Sequence, residues 1–134
     1  MASLETLFEA AKAIQAKAYT PYSRFKVGAA IATPDGQVFT GCNVENAAYP
    51  VGSCAEAGAI AAMIAGGESR ITTIVVMGEG EHLVTPCGGC RQRIREFAGP
   101  DTPIHIAGPE GIRKSFTLDE LLPFSFGPDN LTDR

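Results

Sequence analysis

Residues 74–107 read IVVMGEGEHLVTPCGGCRQRIREFAGPDTPIHIA, and this stretch decides the fold class. Ile74 to Met77 is a short, continuous apolar run, the pattern of a strand covered on both faces. Cys90, Ile94 and Phe97 recur at helical spacing and give one apolar face to a helix that stops at Gly99-Pro100. Ile104 to Ala107 is a second apolar run. Strand, helix, strand in that order predicts a βαβ unit, with two parallel strands and the helix packed across them.

Further toward the N-terminus, the Ala-rich stretch from Ser53 to Gly66-Gly67 predicts a buried helix with a glycine C-cap. Val27 to Thr33 and Gln37 to Gly41 flank the turn sequence Pro34-Asp35-Gly36 and predict a hairpin. Leu4, Leu7, Phe8, Ala11, Ile14 and Ala18 follow the N-cap residue Ser3 at three- and four-residue intervals, a helix that Pro21 stops. Toward the C-terminus, Thr117 to Leu122 opens with a capping box formed by Thr117 and Glu120, and the tail from Pro123 reads as loop. The pattern is an α/β chain with a mixed sheet, an antiparallel edge and helices on both faces. No repeat, linker or low-complexity segment divides it, so residues 1–134 are expected to form one domain.

Composition narrows the function classes. A chain of 134 residues can bury one core without staples. Apolar residues at 45% against 19% charged exclude a disordered chain. The net charge of -4 and the absence of any Lys/Arg cluster argue against nucleic acid as a partner. The longest uncharged apolar run, Ala57 to Gly67, falls short of the roughly 20 residues that span a bilayer. Glu5, Glu9 and Lys12 interrupt the first apolar stretch, which a secretory signal does not allow. The expectation is a cytoplasmic protein with no membrane partner. In that reducing setting Cys42, Cys54, Cys87 and Cys90 point to metal or catalysis rather than disulfides.

Two pieces carry the chemistry: Cys54-Ala55-Glu56 and Pro86-Cys87-Gly88-Gly89-Cys90, each at a predicted helix start. Cys87 and Cys90, three apart, share a helical face and can grip one ion, since each residue turns a helix by about 100°. Cys54 and Glu56 would point roughly 200° apart if both were helical. Cys54 is therefore expected at the non-helical cap position, aimed at the metal, with Glu56 in the first turn. Helix N-termini favour thiolate, so both cysteine groups are expected to have lowered pKa values. Three thiolates and one open position make the catalytic form of a zinc site, whereas structural sites close with four protein ligands. Simple addition of charges leaves such a site at about -1, and compensating positive charge must come from nearby.

The pairing of Cys-Ala-Glu with Pro-Cys-x-x-Cys about thirty residues later resembles the zinc-dependent nucleoside deaminases, whose signature has this form. Tyr22-Ser23-Arg24-Phe25-Lys26-Val27-Gly28-Ala29-Ala30, Gly41-Cys42-Asn43-Val44-Glu45-Asn46-Ala47, Cys87-Gly88-Gly89-Cys90-Arg91-Gln92, Leu121-Leu122-Pro123 and Phe126-Gly127-Pro128 are similar to the small homotetrameric cytidine deaminases. The resemblance covers roughly residues 3 to 131. It implies a three-layer α/β/α sandwich with a mixed, about five-stranded sheet. It also implies one Zn2+ per chain on Cys54, Cys87 and Cys90, and hydrolytic deamination of cytidine and deoxycytidine to uridine and deoxyuridine plus ammonia. Glu56 would be the proton shuttle, moving a proton from the water to N3 of the ring and then to the departing amine. Asn43 and Glu45 would hold the ribose hydroxyls, Phe25 would line the base pocket, and the Ala55 backbone would lie near the pyrimidine edge. Phe126 would reach into a neighbouring subunit's site of the homotetramer.

The chain departs from the family at one place. Many members with an all-cysteine site follow Cys-Ala-Glu with an arginine that donates to the sulfurs, whereas this chain has Ala57-Gly58. Arg91, directly after Cys90, is a candidate substitute, with helix capping or a subunit contact as its alternatives. Three other readings stand beside the first: a Cys-x-x-Cys thiol redox protein, which leaves Glu56 without a role, a closed structural zinc site with Cys42 as fourth ligand, and a deaminase of another cytosine-containing small molecule such as a nucleoside antibiotic. Without the resemblance, Asn43 and Glu45 read as strand-end polar residues, Phe25 and Phe126 as core, and Arg91, Arg93 and Arg95 as a solvated face. His82 reads as a loop residue, and His105 as a strand residue facing away from Ile104 and Ile106.

Overall fold

Alternation of apolar side chains along the central strands decides where the layers form. The computed structural model describes residues 2–132. Helix α1 (Leu4–Gln15) is followed by β1 (Gly28–Ala32), β2 (Val38–Cys42), a short 3₁₀ turn (Tyr49–Val51), α2 (Ala55–Ala65), β3 (Thr73–Met77), α3 (Gly88–Phe97), β4 (Pro103–Gly108), β5 (Gly111–Thr117), α4 (Leu118–Leu121) and α5 (Pro128–Thr132). The five strands form one sheet in the order β2-β1-β3-β4-β5. Only β3 and β4 are parallel, joined by α3 as the βαβ pattern requires, and the other pairs are antiparallel.

Strand residues of one parity face α1: Ala30, Ala32, Val75 and Met77 pack with Leu7 and Ala11. The other parity faces the second helical layer. There Ala29, Ile31, Ile74, Val76, Ile104 and Ile106 meet Ala59 and Met63 of α2, Ile94 of α3 and Leu118 of α4. A strand buried on both sides shows period 2 only in which layer each residue joins, which is why these runs read as continuously apolar. The expected three-layer α/β/α sandwich with a mixed five-stranded sheet is the observed one. Among the described residues no helix is long and apolar enough to cross a membrane.

The structure differs from the sequence reading in three places. Helix α1 ends at Gln15, before Pro21, because the following chain turns to pair with the 43–45 segment: Tyr19 N–H donates to Asn43 O and Glu45 N–H to Tyr19 O. Strand β5 gave no apolar signal, since as the sheet edge it exposes Lys114 and Ser115 and is nowhere buried. The tail is not all loop; α5 forms after Gly127, whose N–H donates to Asn130 Oδ1.

Helix α2, which carries Cys54 at its cap, lies unusually close to β2. A Cβ added at Gly41 would sit 2.2 Å from Ala59 N and 2.4 Å from Ala55 O. Both clashes are with helix backbone, so no side chain can move to relieve them. Gly41→Ala is therefore expected to destabilise the protein by at least about 1–3 kcal/mol. Gly88→Ala, with nothing within 4 Å of the new Cβ, is expected to leave the thermal unfolding midpoint unchanged. Thermal denaturation of the two variants against wild type checks both expectations.

Candidate active site

Two helix starts on the same side of the sheet bring three sulfurs together. Cys54 (φ -78°, ψ 158°) is the extended N-cap of α2, with Glu56 in the first turn, as the spacing argument requires. Cys87 (φ -66°, ψ 166°) is likewise an extended N-cap, so it precedes α3 instead of sharing a helical face with Cys90. Cys90, in the first turn, is fully buried. The Sγ atoms of Cys54, Cys87 and Cys90 all lie within 4.8 Å of one another. A tetrahedral ion with bonds of about 2.3 Å holds sulfurs roughly 3.8 Å apart, so the group needs to close by about 1 Å at most. Cys42 lies in β2, outside the group, which leaves a three-sulfur arrangement and not a closed four-sulfur one.

The electrostatics of the group call for a cation. The Cys90 backbone N–H, the largest influence on Cys87, holds that thiol below its usual range. Cys54 and Cys90 go the other way: burial pushes both up. At Cys90 the closeness of Glu56, Cys54 and Cys87 adds to the rise, whereas at Cys54 the hydrogen bond with Cys90 partly opposes it and Cys87 and Glu56 add to it. The expectation that both helix starts favour thiolate thus holds for Cys87, while desolvation wins at the other two. Three sulfurs of this kind are stable as thiolates together only around a positive ion, and all-sulfur ligation with a tetrahedral reach suits zinc.

Glu56 is the one charged side chain buried among the described residues, 4% exposed. That burial raises its pKa, while its own backbone amide, the Cys90 thiol and Arg93 partly oppose the rise. It lines a hollow with Val27, Asn43, Cys54, Ala55, Val84, Thr85 and Cys87. Val27, Val84 and Thr85 were not singled out in the sequence. Position alone was their signal, Val27 two residues beyond Phe25 and Thr85 just before Pro86-Cys87.

The expected sugar-binding residues hold the chain that runs beside this hollow. Asn43 Oδ1 accepts from Val27 N–H at 2.9 Å, and its Nδ2 donates to Phe25 O at 2.8 Å. Glu45 Oε1 accepts from the N–H groups of Tyr22 and Ser23, at 3.0 and 3.1 Å, and Oε2 accepts from the Ser23 hydroxyl. The Ser23 hydroxyl, more than any other group, holds the Glu45 carboxyl below its usual range. Glu45 lines a different hollow, with Tyr22, Ser23 and Tyr49, so the structure places Asn43 but not Glu45 in the hollow of Glu56. Phe25 is exposed, as is Phe126, whose carbonyl accepts from Gln92 Nε2 at 2.8 Å; neither lines the Glu56 hollow. His105 faces away from Ile104 and Ile106, as read, with Nδ1 2.6 Å from Ser115 Oγ.

The three arginines of α3 are not a free solvated face. Arg91 donates to Pro86 O at 2.7 Å, Leu121 O at 2.8 Å and Thr85 Oγ1 at 3.0 Å, so its guanidinium ties loops together and does not serve the sulfurs. Arg95 binds Ser125 Oγ and Asp129. Arg93 is the one that reaches the site: its Nη1 donates to Cys90 Sγ at 3.4 Å.

Comparison with known proteins agrees with this geometry. The family model described as the cytidine and deoxycytidylate deaminase zinc-binding region matches residues 1–106. A cytidine deaminase of Sporosarcina psychrophila is 36% identical over 129 residues, 96% of this chain and 95% of that protein. One from Halalkalibacterium halodurans is 40% identical over 91% of this chain and 94% of that one. The crystal structure of a cytidine deaminase from Burkholderia pseudomallei superposes with a TM-score of 0.87 at 43% identity, covering 92% of this chain and 99% of its own.

The metal reading generates a direct expectation. Purified wild-type protein and Cys42→Ser should each hold about one zinc per chain, and Cys54→Ser, Cys87→Ser and Cys90→Ser clearly less, as read by elemental analysis.

Proposed function

The chain belongs to the cytidine and deoxycytidylate deaminase family, and on that premise we propose that it hydrolyses the exocyclic amine of cytidine and deoxycytidine, a reaction of pyrimidine salvage. The products are uridine or deoxyuridine and ammonia. The observation that carries the reading is the buried Glu56 carboxyl beside the three-sulfur group. Neither a thiol redox pair nor a structural zinc site has work for such a carboxyl.

Cys54, Cys87 and Cys90 would hold one zinc ion, which when bound supplies a Lewis acid that makes water nucleophilic near neutral pH. Glu56 does the proton work. Burial raises its affinity for a proton, which suits a group that must take one from the attacking water and give it up again. It delivers that proton to N3 of the pyrimidine as the water oxygen bonds to C4. It then takes the second water proton and passes it to the amine, so that the C4–N bond breaks and ammonia leaves. Water in, ammonia out, and Glu56 returns to its starting state.

Recognition is assigned to the walls. Ala55 lines the same hollow as Glu56, and its backbone would meet the pyrimidine edge; Phe25, which stands outside that hollow, would close on the base as a wall of the base pocket. Asn43 and Glu45 would hold the ribose hydroxyls. Supporting this, Asn43 lines the hollow of Glu56, and a Glu45 carboxylate kept ionised by its hydrogen bonds is an acceptor for a hydroxyl. Residues 1–134 would act as one catalytic domain in the cytoplasm, where thiol ligands stay reduced. The assembly would be a homotetramer, in which Phe126 of one subunit completes the site of another. The 60% exposure of Phe126, despite the carbonyl held by Gln92, supports that role.

Two measurements test the reading. Glu56→Gln should keep its zinc while its deamination rate, followed by absorbance loss with cytidine, falls by roughly 10²–10⁴-fold or more; near-normal turnover would remove Glu56 from the chemistry. Truncation before Pro123 should abolish deamination with zinc still bound, whereas a fully active monomer in sedimentation at assay concentration would rule out shared sites.

A further inference from the structure

We propose that Arg93 supplies the positive charge that the three-sulfur site lacks, by donating from Nη1 to Cys90 Sγ, and so determines how tightly zinc is retained. This rests on the metal-site reading above. A divalent ion with three thiolates carries a net charge of about -1, and the Glu56 carboxylate beside it adds to the negative field. Cys90 is the sulfur with the greatest need of a donor, because it alone of the three is fully buried and water cannot solvate it.

Helix geometry delivers the guanidinium to that sulfur. Residues 90 and 93 stand three apart on one helix face, and long helical side chains lean toward the N-terminus. Arg93 therefore folds back over the first turn of α3, where Gly89 has no side chain; a Cβ there would come within 3.4 Å of Arg93 Nη1. No carboxylate lies at ion-pair distance from this guanidinium, since among the described residues the side-chain ion pairs are Arg95–Asp129 and Arg113–Glu110; Glu56 feels it at longer range. The other sources are closed. Arg91 is held by two carbonyls and a hydroxyl, and α2 presents Ala57 and Gly58 on the turn after Glu56. Among the described residues the Arg93 bond is the one hydrogen bond from a cationic side chain to any of the three sulfurs.

A donor that draws charge from a ligating atom strengthens the site, and removing such a partner typically costs about 10–100-fold in metal affinity. The test is the rate of zinc transfer from purified protein to an excess of a colorimetric chelator at fixed pH, with no substrate present. Arg93→Gln and Arg93→Leu should release zinc faster by about 10–100-fold. Arg93→Lys, which keeps the charge, should stay near wild type. Arg70→Gln, which removes the same charge from the loop between α2 and β3, should release at the wild-type rate. Equal rates for wild type, Arg93→Gln and Arg93→Leu, each starting with about one zinc per chain, would overturn the proposal, and so would an Arg93→Lys protein as leaky as Arg93→Leu. A wild-type protein that binds no zinc would overturn the metal-site reading itself and this proposal with it.

Discussion

Crowding three cysteine sulfurs and a buried carboxyl into one pocket is the constraint around which the site is organised. Burial raises the cost of ionising Cys54 and Cys90, and the Glu56 carboxyl beside them adds to it. Such a group persists only if the backbone holds it in place and positive charge meets it. The fold answers the first need by packing α2 and α3 on one face of the sheet with both N-termini at the same end. The second is met by the ion, by the Cys90 amide at Cys87 and by Arg93. The close approach of α2 to β2, permitted by Gly41, keeps the cap of α2 from drifting away from the cap of α3.

Helix α3 serves more than one part of the molecule. Its inner face places Ile94 in the core and Cys90 in the sulfur group. Its polar residues act as clamps. Arg91 ties the Thr85-Pro86 approach to the Leu121 carbonyl, Gln92 holds the Phe126 carbonyl, and Arg95 holds Ser125 and Asp129. The C-terminal tail, which has few buried residues of its own, takes its path from this helix. A change in the tilt of α3 would disturb the sulfurs and the tail together.

Asn43 and Glu45 organise the segment from Tyr22 to Val27 by accepting from and donating to its backbone. Each loop N–H satisfied in this way is one that does not need water, which lets an irregular segment line a pocket. The same two side chains therefore fix the segment on which Phe25 stands.

Much of this was legible in the chain because it rests on local rules. The helix starts at Ser3, Cys54 and Thr117, the glycine end of α2 and the apolar runs of β3 and β4 follow from capping, periodicity and turn chemistry. The extended cap at Cys54, with Glu56 in the first turn, follows from a two-residue spacing and 100° per residue. The edge strand β5 was not legible, because a half-exposed edge has no apolar alternation, and the early end of α1 depends on pairing with residues 43–45, far along the chain. The arginines of α3 show the division most clearly. By sequence alone Arg91 stands next to Cys90 and Arg93 is one of three charges on a polar face. In the folded chain Arg91 is claimed by carbonyls of the Pro86 loop and of the end of α4, and Arg93 lies over the sulfur because it stands about one turn beyond Cys90 and Gly89 leaves it room. The sequence determined which residue types could make a metal site, since that is a matter of side-chain chemistry and local spacing. Which cation reaches it was decided by the tertiary structure, because packing brings the Leu121 carbonyl, from a distant part of the chain, to claim Arg91 and leaves Arg93 to the sulfur.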